Sequence, residues 1–183
     1  MKRKIMGDLL NWKDRQGIYK TDRLPLLIYG ARQVGKTHIM IEFGETYYKN
    51  QVYINFERMS KIAGYFESDI SPKAIIPVLE GATGTKIVPE ETLIIFDEVQ
   101  SCERALTSLK YFAEEAPEYH IIAAGSLLGV ALNRGKYSFP VGKVHILTLY
   151  PMDMEEYLWA LGEEYPADMI RKCYRSDQAM PAA

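Results

Sequence analysis

Alternating strand and helix patterns predict an α/β fold, with a five-stranded parallel sheet held between two helical layers. Two local features fall where such a sheet places its ligands, just past the carboxyl ends of strands. One is a Gly-rich turn, Gly30 to Thr37, after the first apolar run; the other is an acidic pair, Asp97-Glu98, closing the third.

Residues 1–24 are mixed and polar, with a short amphipathic helix around Ile5, Leu9, Leu10 and Trp12. Leu24 to Tyr29 is a brief apolar run ending at Gly30, the mark of a buried strand. A helix is predicted from Lys36 to about Tyr48, and Gln51 to Phe56 forms the second strand. Between 60 and 90, Pro72, Pro77 and Pro89 with Gly64, Gly81 and Gly84 predict short helices and loops. Leu93 to Phe96 is the third strand. Leu106, Leu109, Phe112, Ala113 and Ala116 then recur at helical spacing until Pro117. Tyr119 to Ala124 is the fourth strand, ending at Gly125-Ser126, and Lys143 to Tyr150 is the fifth. Beyond Pro151, Met154, Tyr157, Leu158 and Leu161 mark an amphipathic helix, and Ala167 to Tyr174 a further short one. The expected organisation is an N-terminal segment 1–24, a core 25–150 and a helical extension 151–183.

Composition narrows the class. The 183 residues carry 22 basic and 24 acidic side chains, a net charge of −2, with 48% hydrophobic and 25% charged residues. That is an ordinary globular balance and excludes disorder or collagen-like repetition. The near-neutral charge argues against a large nucleic-acid footprint. Asp8 interrupts the basic start too early for a signal peptide. The longest uncharged apolar stretch, Ile121 to Leu132, falls well short of the ~20 residues a membrane helix needs. With two cysteines, too few for a disulfide framework, the expected location is the reducing cytoplasm.

Gly30-Ala31-Arg32-Gln33-Val34-Gly35-Lys36-Thr37 satisfies G-x-x-x-x-G-K-[ST] in full. At average residue usage the expectation is about 0.005 accidental matches per chain of this length. The apolar strand before it and the helical pattern after it are the context the motif requires. Gly30 and Gly35 allow the backbone to turn its N–H groups onto phosphate oxygens. The helix N-terminus adds partial positive charge. Lys36 is expected to reach the β- and γ-phosphates, and Thr37 to ligate Mg²⁺. These eight residues, with His38 at the helix start, form the candidate nucleotide-binding set. The competing explanation is an ordinary strand–helix turn with an incidental lysine.

A buried strand delivers Asp97 to the sheet edge, where it is expected to support Mg²⁺. Glu98 is the candidate for polarising an attacking water, and that second carboxylate favours hydrolysis over phosphate transfer to an acceptor. The competing explanation for Asp97 is the start of an acidic helix, with the carboxylate acting only as an N-cap. Ser126, at the end of the fourth strand, is placed to sense the γ-phosphate or orient water, or else to serve a tight turn with Gly125. One of Arg134, Lys136 and Lys143 could supply charge to a neighbouring subunit, though a solvated basic loop suits them better. His38, His120 and His145 lack metal-ligand spacing. The guanine-reading Asn-Lys-x-Asp is absent, the nearest segment being Asn133-Arg134-Gly135-Lys136. A small-molecule kinase would need an arginine-bearing lid, for which Arg171 and Arg175 are the candidates.

Leu26 to Thr37, Tyr53-Ile54-Asn55-Phe56-Glu57 and Leu93 to Gln100 (LIIFDEVQ) resemble prokaryotic AAA-type ATP-binding proteins that carry a C-terminal domain of unknown function. Ala124 to Gly129 and Leu149-Tyr150-Pro151-Met152 look like later motifs of the same family, so the resemblance spans about residues 20–165. It implies an AAA+-like core with ATP and Mg²⁺ as ligands and Ser126 near a first-sensor position. Many relatives have Gly-Arg where Gly142-Lys143 stands. Gln178-Ala179-Met180-Pro181 resembles the start of the relatives' downstream domain, which suggests the ATPase core of a longer protein. The expected activity is ATP hydrolysis with Lys36, Glu98 and Ser126 at the reacting centre and Thr37 and Asp97 on the metal. That activity would drive or switch an attached domain, a partner protein or a self-assembly. The alternatives are a nucleotide-gated switch with negligible turnover and a small-molecule kinase.

Overall fold

The computed structural model describes residues 2–16, 23–125, 142–177 and 179. Along the chain run α1 (Ile5–Lys13), β1 (Leu26–Tyr29), α2 (Lys36–Tyr47), β2 (Asn50–Asn55), α3 (Ser60–Ser68) and α4 (Pro72–Thr83). They are followed by β3 (Thr92–Asp97), a 3₁₀ turn (Val99–Ser101), α5 (Glu103–Glu115), β4 (His120–Ala124), β5 (His145–Thr148), α6 (Met154–Ala160) and α7 (Glu164–Ser176). The five strands form one parallel sheet in the order β2-β3-β4-β1-β5.

Strand side chains alternate between two cores, because successive Cβ atoms point to opposite faces. Leu27, Val52, Ile54, Ile94, Phe96, Ile121 and Ala123 face α3, α4 and α5, where Phe66, Leu79 and Phe112 meet them. Leu26, Ile28, Leu93, Ile95, Ile122 and Ala124 face α1 and α2, packing on Leu9, Trp12, Ile39, Met40 and Phe43. Burial on both faces explains why these strands read as unbroken apolar runs. The predicted three-layer α/β/α architecture with five parallel strands is therefore present. The amphipathic helix of the N-terminal segment is part of it, since Ile5, Leu9 and Trp12 lie in the second core.

Three local readings differ from the structure. Pro77 lies inside α4 instead of breaking it. Pro72 occupies the first helical position, and the carbonyl that Pro77 leaves without a donor belongs to Lys73, an exposed residue open to solvent. Buried Ile75 and Leu79, four residues apart, hold the helix down. The fifth strand is shorter than Lys143–Tyr150, because it is an edge strand whose ladder is limited by the four residues of β1. Most of the apolar stripe expected to anchor α6 faces outward, with Met154, Tyr157 and Leu161 at 64%, 50% and 60% exposure and only Leu158 half-buried. The buried anchor of that helix is a carboxylate, Glu156.

Candidate functional site

β1 and β3 flank β4, so the turn after β1 and the end of β3 come together at the carboxyl edge of the sheet. Gly30 leaves β1 at φ 156°, and a Cβ there would overlap the Leu149 carbonyl oxygen. Gly35 caps α2 at φ 95°, a left-handed conformation that costs glycine little. Only glycine can start the loop so close to the chain leaving β5.

Within this loop the Lys36 ammonium donates to the carbonyls of Gly30 (3.0 Å) and Ala31 (2.7 Å). Burial lowers its pKa below the usual lysine value, an effect opposed by the charges of Glu98 and Asp97. The Thr37 hydroxyl donates to Asp97 Oδ2 at 2.7 Å. Asp97 is 2% exposed, and its other oxygen accepts the Glu98 N–H at 3.0 Å. A cleft of about 510 Å³ opens over these groups, lined by Arg32, Gln33, Gly35, Lys36, Thr37 and His38, with Glu57 and Glu98 among its walls.

Glu98 sits at φ 51°, an uncommon conformation for a non-glycine residue. It turns the chain from β3 directly into the 3₁₀ turn. Its carboxylate accepts a short hydrogen bond from Gln100 Nε2. Thr37 and Asp97 supply hard oxygen donors, which suit Mg²⁺. Among the described residues there is no group of three or more His, Cys, Asp or Glu able to hold a metal. Two protein oxygens, with the rest from phosphate and water, is the usual Mg²⁺ arrangement, so these residues fit that ion.

The structure thus gathers Gly30 to His38, Asp97 and Glu98 at one edge of the sheet. Val34 plays a different part from its neighbours, packing its side chain against the second core. Ser126, Arg134 and Lys136 lie outside the described residues, as does all but Ala179 of the Gln178–Pro181 segment. Lys143 pairs with Glu114 at 3.0 Å. Arg171 forms an ion pair with Glu155 on α6.

Sequence reasoning passed over Tyr53 and Asn55 as functional residues. The Tyr53 hydroxyl donates to Asp97 Oδ2 at 2.8 Å, and Asn55 Nδ2 donates to that hydroxyl at 3.3 Å. The register of β2 on β3, which puts Asn55 opposite Asp97, makes this contact. Burial raises the Tyr53 pKa, and the bond to Asp97 raises it further, so the phenol remains a donor. A polar Tyr-x-Asn at a strand end was the available signal.

No helix among the described residues is long and apolar enough to cross a membrane. Comparison with known proteins agrees with the geometry. No curated protein matches the chain. Among solved structures, it resembles a Walker-type ATPase of Pyrococcus abyssi, PABY2304, with a TM-score of 0.54 and 17% identity. That likeness covers 98% of this chain and 60% of the archaeal one, so the chain spans somewhat less than two thirds of that relative. PCH-2 of C. elegans is matched at TM-score 0.47 and 11% identity, over 93% of this chain and 45% of that one. Residues 22–158 match the profile described as the AAA domain. The match covers most of the chain, both strand-end motifs included, and the protein therefore belongs to the AAA domain family, with the fold of a P-loop NTPase.

Proposed function

We propose that the chain binds ATP through the Gly30–Thr37 loop and hydrolyses it to drive or switch an attached domain or partner. The observation that carries this reading is the 2.7 Å contact between Thr37 and Asp97, which stand on different elements beside a cleft lined by Lys36 and Glu98. Lys36 would exchange its carbonyl partners for phosphate oxygens, and the N–H groups at the start of α2 would add partial positive charge. Thr37 and Asp97 would hold Mg²⁺, which when bound offsets charge on the β- and γ-phosphates. Glu98 would accept a proton from the attacking water, with His38 and Arg32 at the cleft mouth.

The test is phosphate release and calorimetric ATP binding in the same samples. Lys36→Ala is expected to lose binding. Glu98→Gln is expected to retain binding and lose turnover by about 10²-fold or more, the usual scale for a general base. Unchanged turnover in Glu98→Gln would remove that residue from the mechanism, and no binding by the folded wild type would remove the whole reading.

The Gln100–Glu98 hydrogen bond favours a second reading, a nucleotide-gated switch whose base is held engaged. Tight ATP retention without phosphate release, with turnover appearing in Gln100→Ala, would decide for it.

A further inference from the structure

Arg3 is 5% exposed, in a segment whose sequence suggests only a polar lead-in. Its guanidinium reaches three parts of the chain at once. Nη1 donates to the Val34 carbonyl at 3.3 Å, and Nη2 to the Tyr150 carbonyl at 2.8 Å. Nε lies 3.1 Å from Glu156 Oε1, a charge contact without the alignment of a hydrogen bond. The same Glu156 oxygen accepts the Lys4 N–H at 2.7 Å. Glu156 is also the third residue of a capping box with Asp153, so the α6 N-terminus is built around the carboxylate that faces Arg3.

The position of Val34 gives this cluster a consequence for ligand binding. In a trans peptide the C=O and N–H point in opposite directions. Val34 C=O and Gly35 N–H share one peptide plane. Holding that carbonyl outward toward Arg3 aims the Gly35 N–H toward the opposite side, and Gly35 lines the cleft. A Cβ on Gly35 would stand 4.0 Å from Arg3 Nη1, so the guanidinium lies directly behind the loop.

We propose that Arg3 is a positioning residue for nucleotide binding, which fixes the Val34–Gly35 peptide and, through Glu156, couples loop occupancy to the docking of α6. The inference rests on the phosphate-loop reading above. Coupling of this kind is reciprocal. If α6 docking favours the binding-competent loop, bound ATP must hold α6 more tightly to the core.

The decisive experiment pairs ATP affinity with Mg²⁺, measured well below each variant's Tm, with hydrogen exchange of the α6 amides. Arg3→Met leaves Glu156 buried without its cation and could fail to fold. The double variant Arg3→Met/Glu156→Leu removes the pair without an orphan charge, an exchange that folded proteins often tolerate. In wild type, ATP is expected to slow α6 exchange. In the folded double variant Kd is expected to rise about tenfold and the ATP-dependent slowing to vanish, a change that lost packing alone would not produce. An unchanged Kd, or wild-type α6 exchange indifferent to ATP, would overturn the proposal. Lys36→Ala separates the failures: if it abolishes binding while the Arg3 variant binds normally, only this inference falls. If Lys36→Ala binds as wild type does, the phosphate-loop reading falls and takes this one with it.

Discussion

Tyr53→Phe removes one hydroxyl at the candidate metal site, with its bond to Asp97 and the longer one it accepts from Asn55. It removes the oxygen that donates to Asp97 Oδ2 at 2.8 Å and leaves the ring in place. Asp97 keeps its bonds from Thr37 and from the Glu98 N–H, so the carboxylate is not orphaned. A bond to a charged acceptor contributes about 1.5–3 kcal/mol. The lower value applies here, because Asp97 retains two donors. For a chain of this size, about 1.5 kcal/mol corresponds to a Tm lower by roughly 3–6 °C.

The functional effect should be selective. A hydroxyl can offer a lone pair to a metal and still donate its proton, so in the proposed site Thr37 would keep its bond to Asp97, and Tyr53 would be the second side chain fixing that same oxygen. Mg²⁺-dependent ATP binding should therefore weaken several-fold in Tyr53→Phe, while metal-free ATP binding is unchanged. Calorimetric titration with and without Mg²⁺ measures both. Equal affinities with Mg²⁺, in a variant whose Tm has fallen as expected, would refute the assignment of Tyr53 to metal-site geometry.

Gly30→Ala should abolish nucleotide binding and destabilise the fold, because its Cβ would overlap the Leu149 carbonyl; a variant with wild-type Tm would show that the β5 end gives way. His120 is buried, its Nδ1 lies 2.6 Å from the Tyr48 hydroxyl, and burial with nearby Arg23, Lys13 and Arg15 pushes its pKa down to about 3. A folded-state pKa below the unfolded value contributes stability that is present above pH 6.5 and lost as pH falls from there toward 3. Denaturant unfolding should give about 1.4 kcal/mol less stability at pH 5.5 than at pH 7.5, and a difference that persists in His120→Gln would refute the assignment. Phe66 is fully buried and meets Phe56 and Phe96 edge-on at 5.5 and 5.9 Å. Phe66→Ala should cost about 3–5 kcal/mol in the same assay without changing ATP affinity in folded protein.

What could be read along the chain followed from rules that act locally. A Gly-rich turn between a strand and a helix needs its glycines, lysine and threonine within eight residues, so the Gly30–Thr37 loop was visible before any folding. The unbroken run Leu93 to Phe96 announced a strand buried on both faces, and with it the placement of Asp97 and Glu98 at an edge. Pairing across distance decided the rest. Arg3 looked like part of a charged start because its carbonyl and carboxylate partners lie 31 to 153 residues further on. Tyr53 was one residue of a predicted strand until the register of β2 on β3 brought its hydroxyl to Asp97. Pro77 is accommodated where neighbouring Ile75 and Leu79 have a core to enter, and α6 is held by buried Glu156 beside Arg3 while most of its apolar stripe faces outward. Backbone geometry within a few residues determines a loop or a strand; a charge or hydroxyl takes its role from whichever partner the completed sheet sets beside it.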